Sequence, residues 1–306
     1  MDTGPDTRIR CVMERMHEVY LGRDEVISCI LAALLAGGHV LLEGVPGVGK
    51  TLIAITLSRL FDLSFKRIQF TNDMLPSDVT GFHTLRGETG AWEMVKGPIF
   101  ASIVLADEIN RTSPKTQSAL LEAMEEAQVT IDGVTYELPR PFMVIATQNP
   151  VEIAGTFPLP ESQLDRFLMK LSVEYPPLKE EREILMKDID HADALKLRPV
   201  MTKDELVDLA DEASTVSVHP DVISYIVNIV RATRVHPRVE LGVSPRGGLA
   251  LKRAAQAWAY ISGRNFVTPG DVATLAPFVL SHRIISKDGD PGGLVEEVLR
   301  EVEVPL

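Results

Sequence analysis

Short runs rich in apolar residues recur through the first half of the chain: His39 to Glu43 (HVLLE), Arg67 to Phe70, Ser102 to Asp107 (SIVLAD), Phe142 to Thr147 (FMVIAT) and Leu168 to Val173. Runs of this kind mark strands buried on both faces, as in a parallel sheet covered by helices. From Thr51 to Phe61 the period changes, with Leu52, Ile53, Ile55, Leu57 and Leu60 at helical spacing, so the chain reads strand, glycine loop, helix. The expected fold is therefore an α/β sandwich with a parallel sheet. Two further segments alternate as hairpins and should project from this core. One is His83 to Val95, turning at Gly87 to Gly90, and the other is Val129 to Leu138, where Asp132-Gly133 is a turn signal. Beyond Tyr175-Pro176-Pro177 the strand pattern disappears, and helical segments are expected near 178–190, 203–212, 219–234, 246–262 and 269–283. The expected division is a core at 1–175, carrying N-terminal helices and the two hairpins near 83–95 and 129–138, and a helical lid at 176–306.

Length agrees with two domains, since 306 residues exceed one small core. Acidic residues outnumber basic ones 43 to 31, a net charge of -12 that disfavours nucleic acid as a partner. Cys11 and Cys29 are too few for a disulfide framework, which fits a reducing cytoplasm. The longest apolar stretch, Val26 to Ala36, is about half of what a bilayer crossing needs and is closed by Gly37-Gly38, so it reads as a buried helix. No signal peptide, solenoid repeat or low-complexity tract is expected.

The candidate chemistry starts in the glycine loop. Gly44-Val45-Pro46-Gly47-Val48-Gly49-Lys50-Thr51 matches G-x-x-x-x-G-K-[ST] at every fixed position, after a strand and before a helix. Glycines let successive N–H groups turn inward around phosphate oxygens, and the following helix adds its positive end. Lys50 would reach the β/γ-phosphates and the Thr51 hydroxyl a magnesium ion, so ATP with Mg2+ is the expected cofactor pair. At the end of SIVLAD, Asp107 can hold the magnesium and Glu108 can orient or deprotonate the attacking water. Asn149, leaving the tip of the next strand before Pro150, could hydrogen-bond that water or the γ-phosphate.

Two arginines read as partners for developing phosphoryl charge. Arg166, in ESQLDRF, lies on the side of the core away from its own phosphate loop and is the candidate for a finger supplied to a neighbouring subunit. A local salt bridge with Asp165 or Glu161 is the competing reading. Arg246 follows Ser244-Pro245 in a first helical turn, where the macrodipole opposes a cation, so an anionic partner is expected. A γ-phosphate across the domain cleft would serve, as would a surface carboxylate.

With these residues in order, the chain resembles the AAA+ ATPases, specifically the MoxR family. The blocks GRDEVISCILAALLAGGHVLLEGVPGVGKT, LPSDVTG, GPIFASIVLADEINRTSPKTQSALLEAMEEAQVTI, ATQNPVEIAGTFPLPESQLDRFLMKL and SPRGGLAL follow in that family's order, nearly end to end. The resemblance implies a P-loop αβα core of five parallel strands in order 5-1-4-3-2, a helical lid, and a hexameric ring of identical subunits with ATP between them. It assigns Lys50 and Thr51 to the phosphate loop, Asp107 and Glu108 to the magnesium strand, Asn149 and Arg246 to the two sensors and Arg166 to the finger. Val19 to Arg23, Leu21 among them, would lie near the adenine, and Leu52 continues the nucleotide-binding set. The hairpins resemble insertions that face a pore or substrate. Asn72 stands where proline is expected, and Arg111 is a further candidate for an intersubunit contact.

Seven histidines, His39 and His83 among them, show no metal-ligand spacing. Glu122, Glu125 and Glu126 read as a solvated helix face. The function expected first is a chaperone-like remodeller, with a von Willebrand factor A domain protein or a maturing enzyme as client by family resemblance. A nucleic-acid motor of helicase or clamp-loader type is the alternative, and a nucleotide-gated scaffold without turnover is a third reading that Glu108 opposes.

Overall fold

The computed structural model describes residues 7–85, 92–149, 155–188 and 191–305. Five strands form the central sheet: β1 (Val40–Glu43), β2 (Phe65–Gln69), β3 (Ile103–Asp107), β4 (Met143–Gln148) and β5 (Met169–Ser172). All neighbours are parallel, in the order β2-β3-β4-β1-β5, which from the other edge is the expected 5-1-4-3-2. The side-chain period of two sorts each strand between two cores. Val40, Leu42, Ile103, Leu105 and Ile145 join one apolar cluster, whereas Leu41, Val104, Ala106, Val144 and Ala146 join the other.

The first cluster runs without interruption from the sheet into the helices. Helix α1 (Thr7–Val19), α2 (Asp24–Leu35) and α3 (Lys50–Leu60) contribute to it, and α2 packs against helices Lys203–Ser214 and Pro245–Ile261. α2 is the segment read as too short for a membrane, and Val26 to Leu35 are nearly all buried. The second cluster is closed by helix Pro114–Glu126 and by the base of the second hairpin.

The first hairpin pairs Gly81–Leu85 with Trp92–Lys96, and its expected turn at Gly87 to Gly90 lies outside the described residues, as does Pro150. It exposes Phe82, Leu85 and Trp92, the last at 70%. The second pairs Gln128–Ile131 with Val134–Glu137, and positive φ at both Asp132 (50°) and Gly133 (82°) makes the tight turn that Asp-Gly favours. His83 joins the two hairpins, with Nδ1 2.9 Å from Asp132 Oδ2 and Nε2 2.9 Å from the Tyr136 hydroxyl.

After residue 175 helices dominate: Leu178–Lys187, His191–Lys196, Lys203–Ser214, Pro220–Val235, Pro245–Ile261, Pro269–Leu280 and Pro291–Glu301, with a 3-10 turn at Ser281–Arg283. Capping boxes start two of them, Thr202 with Glu205 and Thr268 with Asp271. Three features depart from expectation, the first of them the short helix His191–Lys196. Strand structure does not vanish, since Val239–Leu241 pairs with Ile285–Ser286, and Pro291–Glu301 is a helix where none was foreseen. Asp290 caps that helix by accepting from Gly293 N at 2.9 Å, and proline occupies its first turn, so a Pro-Gly-Gly string that reads as a loop starts a helix.

Candidate active site

The carboxyl ends of β1, β3 and β4 come level at one edge of the sheet, where ligands gather in open α/β folds. β1 ends in the glycine loop. Gly44 has no room for a side chain, because a Cβ there would stand 2.3 Å from the Val173 carbonyl at the end of β5. Gly47 (φ 86°) and Gly49 (φ 88°) take left-handed backbone, and a Cβ on Gly49 would approach the Tyr20 ring to 3.2 Å. The loop bounds a cleft of about 530 Å³ lined by Pro46 to Leu52, Leu21, Asp107, Glu108 and Asn149. Of the nucleotide-site residues expected from sequence, Gly44 and Val45 form the loop's base rather than the cleft wall.

Lys50 is folded onto that base, with Nζ 2.5 Å from the Gly44 carbonyl and 3.4 Å from that of Val45. Burial lowers its pKa below the ordinary lysine value, against the pull of Asp107 and Glu108. Asp107 is held from two sides: Thr147 Oγ1 donates to Oδ1 at 2.6 Å, and the Arg67 guanidinium meets Oδ2 at 2.5 Å. Glu108 sits in left-handed backbone (φ 57°), a conformation that costs a non-glycine residue on the order of 1 kcal/mol. Its N–H donates to Thr147 Oγ1 at 2.9 Å, while its carboxylate accepts from Gln69 Nε2 at 2.9 Å and pairs with Arg111 Nε at 3.0 Å. Arg111, expected at a subunit contact, is thus turned onto Glu108. Asn149 follows β4 at the cleft wall and is 8% exposed.

Thr51 and Asp107 offer a hydroxyl and a carboxylate, hard oxygen donors suited to Mg2+ held largely by phosphates and water. Among the described residues there is no group of three or more His, Cys, Asp or Glu that could hold a metal ion.

Arg166 and Arg246 are absent from this cleft and share one carboxylate elsewhere. Arg246 donates to Glu125 Oε1 at 2.6 Å, and Arg166 lies 3.3 Å from Glu125 Oε2 while donating to the Leu121 carbonyl at 2.5 Å. The partners of Arg166 are Leu121 and Glu125 in place of the expected Asp165 or Glu161, and Asp165 is taken by Arg283 at 2.6 Å. Glu125, read from sequence as part of a solvated face, is the anion both arginines use, and the Arg246 hydrogen bond holds its carboxyl below the usual range. Arg67, Gln69, Thr147 and Arg283 escaped sequence reasoning, whereas Tyr20 lies in the stretch Val19 to Arg23 expected near the adenine. Strand register could have found Gln69, which lies opposite Asp107.

A phosphate loop, an acidic strand end and a polar strand tip on this sheet define a P-loop ATPase of the AAA class, an enzyme that hydrolyses ATP. The model of the ATPase family associated with various cellular activities (AAA) matches residues 39–169, and that of the AAA lid domain matches 231–302. The chain is 50% identical to the uncharacterized protein YeaC of Bacillus subtilis, over 96% of this chain and 94% of that one. It is 40% identical to Chaperone MoxR1 of Mycobacterium tuberculosis, over 97% and 82%. A solved structure from Cytophaga hutchinsonii, described as a candidate ATPase, superposes with a TM-score of 0.89 at 37% identity, covering 98% of this chain and 95% of the other. The chain belongs to the MoxR family of AAA+ ATPases.

Proposed function

We propose that the protein works as a homo-oligomeric ring, a hexamer, in which ATP hydrolysis remodels or activates a client protein. The observation that carries this reading is the separation within one chain: the cleft holds the phosphate loop, Asp107, Glu108 and Asn149, while Arg166 and Arg246 stand together on Glu125 outside it. A transferred phosphoryl group gains most from an arginine, and a neighbour in a head-to-tail ring can bring these two. In this assignment residues 44–52 and Leu21 bind the nucleotide, Thr51 and Asp107 hold Mg2+, Glu108 activates water and Asn149 orients it. The magnesium would neutralise phosphate charge. Arg166 and Arg246 act together on the adjoining subunit's nucleotide, which replaces the expectation that Arg246 reaches across its own cleft.

The client side rests on two supports. The first hairpin exposes apolar side chains on both faces, the cross-strand pair Leu85 and Trp92 on one and Phe82 with its partner Val95 on the other, and a relative is named a chaperone. A von Willebrand factor A domain protein in the cytoplasm is the client class we favour, and residues 176–306 serve as the lid. Among the described residues no helix is long and apolar enough to cross a membrane. Light scattering with and without Mg-ATP tests assembly: a monomer in both conditions removes the role of Arg166. ATPase stimulation by DNA, and not by a von Willebrand protein, would overturn the client assignment.

A further inference from the structure

Arg283 is a buried cation whose bonds converge on the three residues that flank Arg166, Asp165, Phe167 and Leu168. It sits in the Ser281–Arg283 turn after helix Pro269–Leu280, with its side chain 4% exposed. All three guanidinium nitrogens reach the segment that joins helix Glu161–Leu164 to β5. Nε donates to Asp165 Oδ1 at 2.6 Å, Nη2 to the carbonyls of Asp165 at 3.0 Å and Phe167 at 2.7 Å, and Nη1 to that of Leu168 at 3.2 Å. Nη1 also donates to the Val279 carbonyl of the helix that precedes the turn. The same guanidinium stem packs under the helix that carries Arg246: a Cβ on Gly247 would stand 3.0 Å from Arg283 Cδ.

Stability alone is a poor reason for this arrangement. A buried ion pair is often no better than apolar residues of the same volume, because desolvation offsets the attraction. What the fork does supply is geometry, since planar donors fix several acceptors at once. The main chain on both sides of Arg166 is fastened to the helical region, while the Arg166 side chain rests on Leu121 and Glu125.

We propose that Arg283 is a positioning residue for the arginines presented to the next subunit: it sets the backbone from which Arg166 projects and the end of the helix that bears Arg246. Movement of the helical region is thereby passed to the finger. This rests on the reading that Arg166 serves a neighbouring nucleotide, and the test separates the two.

Arg283→Lys keeps the charge and loses the fork. Its kcat for ATP falls roughly 10- to 100-fold, the scale of a misplaced catalytic group. Nucleotide affinity stays within about twofold and ring size is unchanged. Mixing it 1:1 with Lys50→Ala subunits, whose cleft is dead and whose finger is intact, restores roughly a quarter of the parental rate, because half the clefts work and half of those meet an intact finger. Arg166→Ala mixed the same way is the control. No recovery in that control removes the trans reading and the present inference with it. Recovery in the control, with parental kcat or no recovery for Arg283→Lys, overturns the role of Arg283 alone. Should Arg283→Lys not fold, Asp165→Asn weakens one of the bonds and leaves those to the carbonyls; its kcat falls about threefold, and on mixing the rate per working cleft rises from about a third to about two thirds of the parental value. An unchanged kcat there overturns the inference.

Discussion

The cleft at the strand ends and the cluster around Glu125 are built on opposite plans. In the cleft, backbone does the holding: glycines open the loop, strand register aligns Gln69 with Asp107, and Glu108 is pinned through its own N–H. Around Glu125, long side chains from two distant segments share one carboxylate, and Arg246 is still 63% exposed. The first plan gives a site that exists in an isolated chain. The second gives charged groups whose mutual pairing is worth little in water, so they can be given up to a stronger anion.

The sharpest way to break this comparison is Arg166→Ala. A finger supplied in trans, as proposed, contributes on the order of 10³-fold or more to turnover, so hydrolysis collapses while binding of a fluorescent ATP analogue is retained. If nucleotide affinity falls along with turnover, the two regions are not separate. Within the cleft the effects divide differently. Glu108→Gln lowers kcat about 10²- to 10⁴-fold and keeps binding, whereas Lys50→Ala lowers both, by roughly 10²-fold or more, in calorimetric titration and steady-state assays.

His39, on the Glu125 side of the sheet, makes the next effect. It precedes β1, accepts from Val144 N through Nδ1 at 3.0 Å, and lies with Nε2 2.9 Å from the carbonyl of Met124, beside Glu125. Burial pushes its pKa down to about 4, so the neutral ring belongs to the folded state. The stability it confers is complete above the unfolded value of 6.5 and is lost as pH falls toward about 4, on the order of 3 kcal/mol in all. Denaturant melts at pH 7 and pH 4.5 check this, and His39→Gln should flatten the acid side. The smallest effect is that of Glu125→Gln. Exposed pairs contribute about 1 kcal/mol or less, so the melting midpoint moves by a few degrees at most. A large loss would show Glu125 to be a structural anchor.

What could be read from residues alone follows the same divide. Contiguous motifs carry the cleft, because the loop, strand and helix that build it are neighbours in sequence. The arginine cluster needs Glu125, Arg166, Arg246 and Arg283 from four segments, and no local rule says that Asp165 is claimed from 118 positions away. Sequence therefore offered Asp165 or Glu161 to Arg166 and dismissed Glu125. The helix Pro291–Glu301 was missed for a different reason: its glycines argue locally for a turn, and only the Asp290 cap and the burial of Leu294, Val295 and Val298 override them.

The clasp formed by His83 has mechanical meaning. A tug on the tryptophan-bearing arm is carried through one imidazole to two anchors, Asp132 and Tyr136, on the other arm. Load borne in parallel must break both attachments at once, so the paired arms resist peeling as a single stiff lever, with the second arm rooted in the core through Val129 and Ile131.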